Sequence, residues 1–182
     1  MVKNEGKIFE ADWLASVPDY CFIHRLRDSA QSYNNSKQTR FTWNNECDFF
    51  MFDSNAHLFY AIECKSTKYK SISYQIDKND NSTKMIKYHQ LESLDKMSKY
   101  SGIIAGLVLN FRDENNDMER TYFIDIRNFL KMKAQINKTS CNEMDLLLNG
   151  AVKISGVKKR THYRWNIDNF LEFQQNANKE NT

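Results

Sequence analysis

The sequence predicts a mixed α/β (α+β) fold, in which a mixed central β-sheet is flanked by helices. Three observations predict it: a helical apolar period near the N-terminus, a hydrophobic hairpin, and a nearly continuous apolar run after a second helical segment. A chain of 182 residues, 41% of them hydrophobic, can bury a real core. We expect one domain over residues 1–182, with its core at about 4–130 and a C-terminal part, 131–182, to which the sequence assigns no role.

Local patterns place the elements of the first half. Apolar residues recur at helical spacing over residues 6–17, and Pro18 ends that pattern. Residues 20–27 are typical of a strand, and the polar connection DSAQSYNNSKQT follows them. Strands near residues 48–52 and 57–65 are predicted to form a hairpin around the turn DSNA.

The second half continues with a helix, two strands and shorter elements. Ser82 or Thr83 is expected to cap a helix that runs to about Tyr100, and Gly102 supplies the stop. The run GIIAGLVLNF predicts a central strand covered on both faces. A charged loop, NFRDENNDME, then leads to the strand RTYFIDI. Weaker patterns predict helices at RNFLKMKAQI and NEMDLLLNG and a strand pair, AVKISGV and THYRWNI, before DNFLEFQQ and a polar tail.

Composition excludes several classes of protein. No stretch of about 18 uncharged apolar residues occurs and the N-terminus lacks a signal-like apolar run, so we expect a cytoplasmic protein without a membrane segment. The net charge of +3 is too small to predict nucleic-acid binding without local clustering. Cys21, Cys47, Cys64 and Cys141 form no CxxC pair and are interpreted as reduced core residues. The absence of a Gly-rich phosphate loop and of GxSxG argues against an NTPase or a serine hydrolase.

The hairpin carries three charged residues of interest: Asp48 near its start, Glu63 near its end, and Lys65 shortly after. If residues 53–56 form the turn, Asp48 lies opposite Ala61. Side chains alternate along a strand, so Asp48, Glu63 and Lys65 then project to one face. Asp48 and Glu63 become diagonal neighbours roughly 7–8 Å apart at the backbone, a span that two carboxylates can close around a divalent ion.

These residue types suit the hydrolysis of a phosphodiester. Two acids and a lysine beside apolar strands are costly unless a metal ion or mutual pairing compensates them. Carboxylate oxygens suit Mg²⁺ or Mn²⁺, which lowers the pKa of a bound water, while an ammonium group can orient that water and offset developing charge. The pattern therefore predicts a metal-dependent nuclease site. The alternative is an ordinary ion pair of Glu63 and Lys65 on a solvent-facing strand.

Two stretches mix basic residues with tyrosine: KSTKYK, residues 65–70, and VKKRTHYR, residues 157–164. Basic groups bind phosphates and tyrosine stacks on exposed bases, so both stretches could contact DNA. The alternative for each is a solvated charged face. The candidate DNA contacts are Lys68, Lys70, Lys158, Lys159 and Arg160. Further phosphate contacts could come from Arg25, Arg27 and Arg40.

At these residues the sequence resembles the PD-(D/E)xK, or restriction-endonuclease-like, nucleases, and within them the RecU-type Holliday junction resolvases. The resemblance begins at NEGKIFEADW and continues through CDFF, AIECKSTKYK and KYHQLESL, covering roughly residues 4–126. It implies a restriction-endonuclease-like fold and a Mg²⁺ or Mn²⁺ cofactor. It also implies a homodimer that binds a four-way DNA junction and cuts two strands symmetrically.

The resemblance assigns roles to individual residues. It implies that Asp48 and Glu63 are metal ligands, that Lys65 is the catalytic lysine, and that Glu10 on the first helix completes the metal site. The remaining matches are Gln75, His89 and Gln90. The first follows the lysine-rich segment and is a candidate DNA contact, and the other two match a His-Gln pair on the next helix. For the histidine, proton transfer competes with a structural role on a half-buried helix.

The chain departs from the family in two places. Cys47 stands where the family has a proline before the first aspartate. The family also carries a long projecting segment that enters the junction, whereas this chain has only DSAQSYNNSKQTRFTWNNE between its first strands. This second difference concerns recognition of the junction more than catalysis.

The sequence therefore predicts a Mg²⁺-dependent endodeoxyribonuclease that acts on branched or structured DNA, as a Holliday junction resolvase does. The alternative is a catalytically idle nuclease-fold protein that binds nucleic acid or a protein partner, such as a phage inhibitor of a host nuclease, for example an anti-CRISPR protein. A third possibility is a restriction-type nuclease, which fixed cleavage sites on linear duplex would reveal.

Overall fold

The structure is a computed structural model and describes residues 4–26, 45–113 and 118–180. The helices in these ranges are α1 (Glu5–Leu14), α2 (Tyr88–Met97), α3 (Ile126–Ile136), α4 (Glu143–Leu148) and α5 (Ile167–Glu180). The strands in these ranges are β1 (Cys21–Arg25), β2 (Phe49–Asp53), β3 (Leu58–Thr67), β4 (Ser71–Ser73), β5 (Ile103–Asp113), β6 (Met118–Asp125), β7 (Ser140–Asn142), β8 (Val152–Ile154), β9 (Gly156–Lys159) and β10 (His162–Trp165).

A six-stranded sheet with the order β1-β2-β3-β5-β6-β8 forms the centre of the molecule. Its neighbouring strands are antiparallel except β3 and β5, which are parallel. β5 is buried over most of its length, as its apolar run predicts. The predicted mixed α/β fold, with a mixed sheet flanked by helices, is therefore confirmed.

The sheet separates two apolar layers. The α2–α3 layer contains Leu94 and Phe129 from the two helices that name it, and the α1–α5 layer contains Trp13 and Phe170. Successive residues of β3 alternate between these layers, as the period of a strand requires. The layer that a charged residue of β3 faces is therefore decided by whether its number is odd or even.

The second helix begins later than its sequence pattern predicts. α2 starts at Tyr88 instead of near Ser82, because Ile86 is buried and forms a parallel bridge with Tyr74. The Ile86 N–H donates to the carbonyl of Ser73 at 3.0 Å, a contact that a helix through this residue could not make. A contact between residues far apart in sequence has overridden the local helical pattern.

Two further predictions differ from the structure. The charged loop is shorter than expected, because β5 continues to Asp113 and β6 already begins at Met118. In the C-terminal strand pair, β8 adds to the central sheet beside β6, and the hairpin forms from β9 and β10. Gly156 pairs with Trp165 there, and a Cβ on this glycine would lie 2.4 Å from the indole ring. The polar connection DSAQSYNNSKQT after β1 lies outside the described residues.

The C-terminal part completes both the sheet and the α1–α5 layer. β8 forms one edge of the sheet, and α5 contributes Phe170 to the core. Asp12 of α1 fixes the β9–β10 hairpin, because its carboxylate accepts the Tyr163 N–H at 2.8 Å and lies 2.6 Å from His162 Nδ1.

The four cysteines are buried and free, as predicted. Within the described ranges, every helix is too short or too polar to cross a membrane.

Candidate active site

The hairpin of β2 and β3 differs in register from its prediction by two residues. Asp53 remains in the strand and pairs with Leu58, so the loop comprises residues 54–57 instead of 53–56. The cause is local: the Asp53 carboxylate accepts the backbone N–H groups of Asn55 at 2.9 Å and Ala56 at 3.2 Å. This side-chain turn closes the loop one residue later on each side.

An even displacement leaves every side chain on its predicted face. Ala61 pairs with Phe50, so the predicted pairing of Ala61 with Asp48 is wrong. The Asp48 N–H donates to the Ile62 carbonyl at 3.0 Å, and the Asp48 carboxylate accepts the Cys64 N–H at 2.8 Å. The carboxylate thus accepts a backbone N–H of β3 where the pairing of β2 and β3 ends.

Glu63 is held from two directions inside the α2–α3 layer. Its side chain is 1% exposed, and its Oε1 accepts hydrogen bonds from Lys65 Nζ and from Gln90 Nε2 of α2. Gln90 is itself fixed, because its Oε1 accepts the N–H of Lys87 at 2.9 Å. The first turn of α2 therefore orients the buried carboxylate.

The charges of the site are only partly balanced. Burial raises the pKa of Glu63 to about 7; Lys65 opposes this shift and the Asp48 carboxylate adds to it. Burial also raises the pKa of Asp48, against the effects of Lys65 and the Cys64 N–H. Burial alone would lower the pKa of Lys65, but the two carboxylates outweigh it and raise that pKa. A charged lysine thus lies beside two carboxyl groups whose ionisation remains costly, a condition that a divalent cation relieves.

Glu10 adds a third carboxylate to this region from α1. Its charge raises the pKa values of Asp48 and Glu63. Its Oε2 accepts hydrogen bonds from Arg25, at 2.8 Å from Nε and also from Nη2. The sequence offers Arg25 as one of three further candidates for phosphate contacts, and the structure pairs it with Glu10. The sequence analysis did not predict this pair, because Glu10 and Arg25 are 15 residues apart and lie on different elements.

The donor set fits Mg²⁺ or Mn²⁺ through two carboxylates. Among the described residues no three His, Cys, Asp or Glu side chains lie close enough together to hold a metal ion. Mg²⁺ in proteins keeps several waters and often binds through one or two carboxylates plus phosphate oxygens, so Asp48 and Glu63 are the residues that could hold it. Glu10 could join them only by leaving Arg25, and its role as a ligand stays a prediction.

The remaining matches to the family lie along the start of α2. Gln75 uses both ends of its amide within the protein: its Oε1 accepts the Tyr88 N–H at 2.8 Å and its Nε2 donates to the Ser82 carbonyl at 3.1 Å. His89 is exposed, and its pKa is lowered by burial of the ring together with the charges of Lys65 and Lys87. The structure thus gives Gln75 a role in fixing α2, and the effect of Lys65 on the imidazole places His89 near the site.

Lys68 and Lys70, two of the candidate DNA contacts, lie in the turn that directly follows β3, the strand of Glu63 and Lys65. β3 and β5 are parallel, so the exposed turn 68–70 after β3 lies at the same end as Arg112 of β5. Arg112 Nε donates to Ser66 Oγ at 3.1 Å, and Arg112 also lines a groove of about 320 Å³ together with Lys158. The predicted basic residues of the hairpin, Lys158, Lys159 and Arg160, are all exposed. Arg27 and Arg40 lie outside the described residues.

A buried polar network beside Lys65 was not predicted. Asn110 is fully buried; its Oδ1 accepts a hydrogen bond from Ser66 Oγ at 2.7 Å, and its Nδ2 donates to Thr121 Oγ1 at 3.0 Å. The network fixes the end of β3 to β5 and β6 just beyond the site. A possible signal in the sequence is the asparagine that ends the run GLVLN, because an amide inside an apolar strand needs partners.

Fold and site together define a mixed α/β protein with a buried glutamate, Glu63, beside two partly buried charged residues, Asp48 and Lys65. The chain is 30% identical over 183 residues to the SPbeta prophage-derived uncharacterized protein YotM of Bacillus subtilis (strain 168), covering 91% of this chain and 84% of that protein. The chain therefore belongs to the family of YotM. No protein-family model matches it. Among solved structures it is similar to Hjc, a Holliday junction resolvase of Archaeoglobus fulgidus, with a TM-score of 0.42, 15% identity, and coverage of 79% of this chain and 89% of that one.

Proposed function

We propose that this chain is a Mg²⁺- or Mn²⁺-dependent endodeoxyribonuclease that cleaves branched or structured DNA, as RecU-type Holliday junction resolvases do. One observation carries the proposal: Asp48, Glu63 and Lys65 lie close together at the N-terminal end of β2, in the part of β3 that extends beyond its pairing with β2. An ordinary surface ion pair does not need this burial, because exposed pairs form in water at little cost. A restriction-endonuclease-like fold, with an acid on one strand and Glu-x-Lys on the next, accounts for the arrangement.

Each group has a role that its surroundings support. Asp48 and Glu63 hold the cation, which when bound polarises the phosphate and lowers the pKa of a water. Lys65 holds a permanent positive charge beside Glu63, where it can offset charge that develops on the scissile phosphate. Gln90 keeps the Glu63 carboxylate in one orientation. His89, next to Gln90 on α2, is proposed as a group that accepts a proton.

The DNA is proposed to lie across the end of the sheet that carries the site. Lys68 and Lys70 follow β3 directly beside it, and the exposed hairpin residues Lys158, Lys159 and Arg160 are proposed as further contacts. These contacts go to phosphates and are not sequence-specific. Symmetric cutting of a four-way junction requires two such sites, so we propose a homodimer. Light scattering coupled to size-exclusion chromatography tests its mass directly.

A role in binding alone is the second candidate. It is favoured by the pairing of Glu10 with Arg25, which leaves no three-carboxylate cluster among the described residues. The name of YotM marks that relative as prophage-derived, and phage proteins that block a host nuclease, such as anti-CRISPR proteins, need no catalysis of their own. On this second reading the nuclease fold serves to bind nucleic acid or a protein partner.

Cleavage assays separate these functions. We would incubate the protein with a four-way junction, linear duplex and single-stranded DNA, in Mg²⁺, Mn²⁺ or EDTA, beside Asp48→Ala and the surface control Glu92→Gln. Metal-dependent cutting of the junction that only Asp48→Ala abolishes supports the proposal. Cutting of linear duplex at fixed positions points to a restriction-type enzyme. Intact DNA under all conditions overturns the proposed nuclease activity and favours the second candidate, a protein that only binds nucleic acid or a protein partner.

A further inference from the structure

The turn after β3 presents an aromatic ring to solvent beside the candidate active site. Tyr69 is 69% exposed and lies between two exposed lysines, Lys68 and Lys70. It follows Lys65 by four residues, so the two Cα atoms are at most about 14 Å apart, about four base-pair steps of DNA. The ring therefore lies within reach of DNA that is bound at Lys65.

The base of the turn is fixed. Thr67 is buried and pairs with Phe111 of β5, and its Oγ1 accepts the Tyr69 N–H at 3.0 Å. Lys68 Nζ lies 5.9 Å from the centroid of the Tyr69 ring, within the range of a cation–π contact. The ring is thus presented by a stable strand end, together with a cation suited to the neighbouring phosphate.

We propose that Tyr69 stacks on an unpaired base of the substrate and thereby directs the site to branched instead of fully paired DNA. This inference rests on the proposed nuclease function and names the feature of the substrate that the site recognises. In a duplex each base is already stacked on its neighbours, whereas a branch, gap or frayed end leaves a base face free. Stacking on an aromatic ring tolerates any base, because every base has a π-face.

Tyr100 provides a matched control within the same chain. It is also 69% exposed and also follows a lysine, Lys99. It precedes β5 near Ile103, which pairs with Phe59 at the start of β3, so it lies at the opposite end of the sheet from Tyr69. Lys99 is paired with Asp95 at 3.1 Å. The two tyrosines share exposure and sequence context but differ in distance from the site.

The test compares forked and fully paired DNA of equal length in EDTA, which prevents cleavage. The forked DNA carries 2-aminopurine as its first unpaired base, so that stacking quenches fluorescence. Tyr69→Ala should weaken binding of the fork by about 5- to 100-fold and abolish the quenching, without changing the affinity for the duplex. Tyr69→Phe should behave as wild type because the ring is kept, and Tyr100→Ala should have no effect.

The outcomes distinguish failure of this inference from failure of the proposed function. Equal weakening on fork and duplex, or unchanged quenching in Tyr69→Ala, overturns the stacking role even if the protein still cuts DNA in Mg²⁺. Wild-type protein that neither binds nor cuts any of the substrates overturns both. Thermal melting of each variant checks folding, which an exposed side chain is not expected to affect.

Discussion

Two glutamates in this protein are each paired with a basic side chain, but they differ in burial and in the number of hydrogen bonds that they accept. Glu143, at the start of α4, accepts two hydrogen bonds from Arg120, at 2.8 and 2.9 Å, and one from Tyr122 Oη at 2.7 Å. Its side chain is 25% exposed. Glu63 is 1% exposed and is paired with Lys65, a point charge without the planar fork of arginine.

The pKa values of the two acids move in opposite directions. Burial raises the pKa of Glu143, but Arg120 and Tyr122 outweigh it, so the pKa is lowered. For Glu63 burial prevails and the pKa rises to about 7. A structural ion pair is thus surrounded by enough partners to favour its charge, whereas Glu63 lacks part of that compensation. Such a deficit inside a fold is typical of a site that receives a ligand.

The largest expected difference between the two pairs is in catalysis. Glu63→Gln and Lys65→Ala should each lower the single-turnover rate of junction cleavage by at least about 10²- to 10³-fold, because each removes a group at the reacting phosphate. Glu143→Gln should leave the rate per folded molecule unchanged. Circular dichroism monitors folding in all three. Normal cleavage by Glu63→Gln, or its failure to fold, would return Glu63 to the class of structural ion pairs.

The next difference is the dependence of stability on pH without metal. An unfolded Glu63 ionises near its ordinary value of 4.5, whereas the folded protein keeps the proton up to about 7. The free energy of unfolding should therefore fall as pH rises through this window, by at most about 3 kcal/mol at 1.36 kcal/mol per pKa unit. Urea denaturation in EDTA at pH 5 and pH 7.5 measures the change.

Glu63→Gln should remove most of this fall, while Glu143→Gln should not, because the pKa of Glu143 is lowered and its carboxyl group is largely ionised in both the folded and the unfolded protein across this window. Added Mg²⁺ should restore stability at pH 7.5 in the wild type, by about 2.7 kcal/mol when its concentration is 100 times Kd. A flat profile in wild-type protein would contradict the raised pKa. Equal stabilisation of Glu63→Gln by Mg²⁺ would show that the cation binds elsewhere.

The face on which the site lies could be predicted from the sequence, although the register could not. Strand alternation puts Asp48, Glu63 and Lys65 together for any even displacement of the hairpin, so an error of two residues does no harm. The displacement itself depends on the Asp53 side chain, which closes the loop in a way that composition does not show. The central strand β5 could also be predicted, because its nearly continuous apolar run corresponds to burial over most of its length.

Contacts between distant segments escaped prediction. Gln90 reaches Glu63 across 27 residues and Arg25 reaches Glu10 across 15, and both depend on how helices pack on the sheet. The late start of α2 depends likewise on the bridge from Ile86 to Tyr74. Sequence patterns predict the local spacing of apolar residues and their burial. They do not predict which side chain of a distant element forms a hydrogen bond with a given residue.

A smaller difference concerns the stability that each pair supplies at neutral pH. Glu143→Gln should lower the free energy of unfolding by about 1–2 kcal/mol, because it leaves Arg120 without its charged acceptor at a partly exposed position. Glu63→Gln in EDTA should cost less than this, since a buried charge is removed along with its desolvation. Urea titrations at pH 7.5 compare the two. The reverse ranking would mean that Lys65 and Gln90 already compensate Glu63 fully.

The smallest effect is expected from a third pair, Glu92 with Lys96 on α2. Their charged atoms are 3.7 Å apart and their side chains are 50% and 68% exposed, so Glu92→Gln should change the free energy of unfolding by less than about 0.5 kcal/mol. It should alter neither cleavage nor the response to Mg²⁺. This pair is what the alternative interpretation of Glu63 and Lys65 describes. Glu63→Gln and Glu92→Gln could instead have the same free energy of unfolding, the same pH dependence and the same response to Mg²⁺. Glu63 and Lys65 would then be only a structural ion pair, and the proposed active site would be wrong.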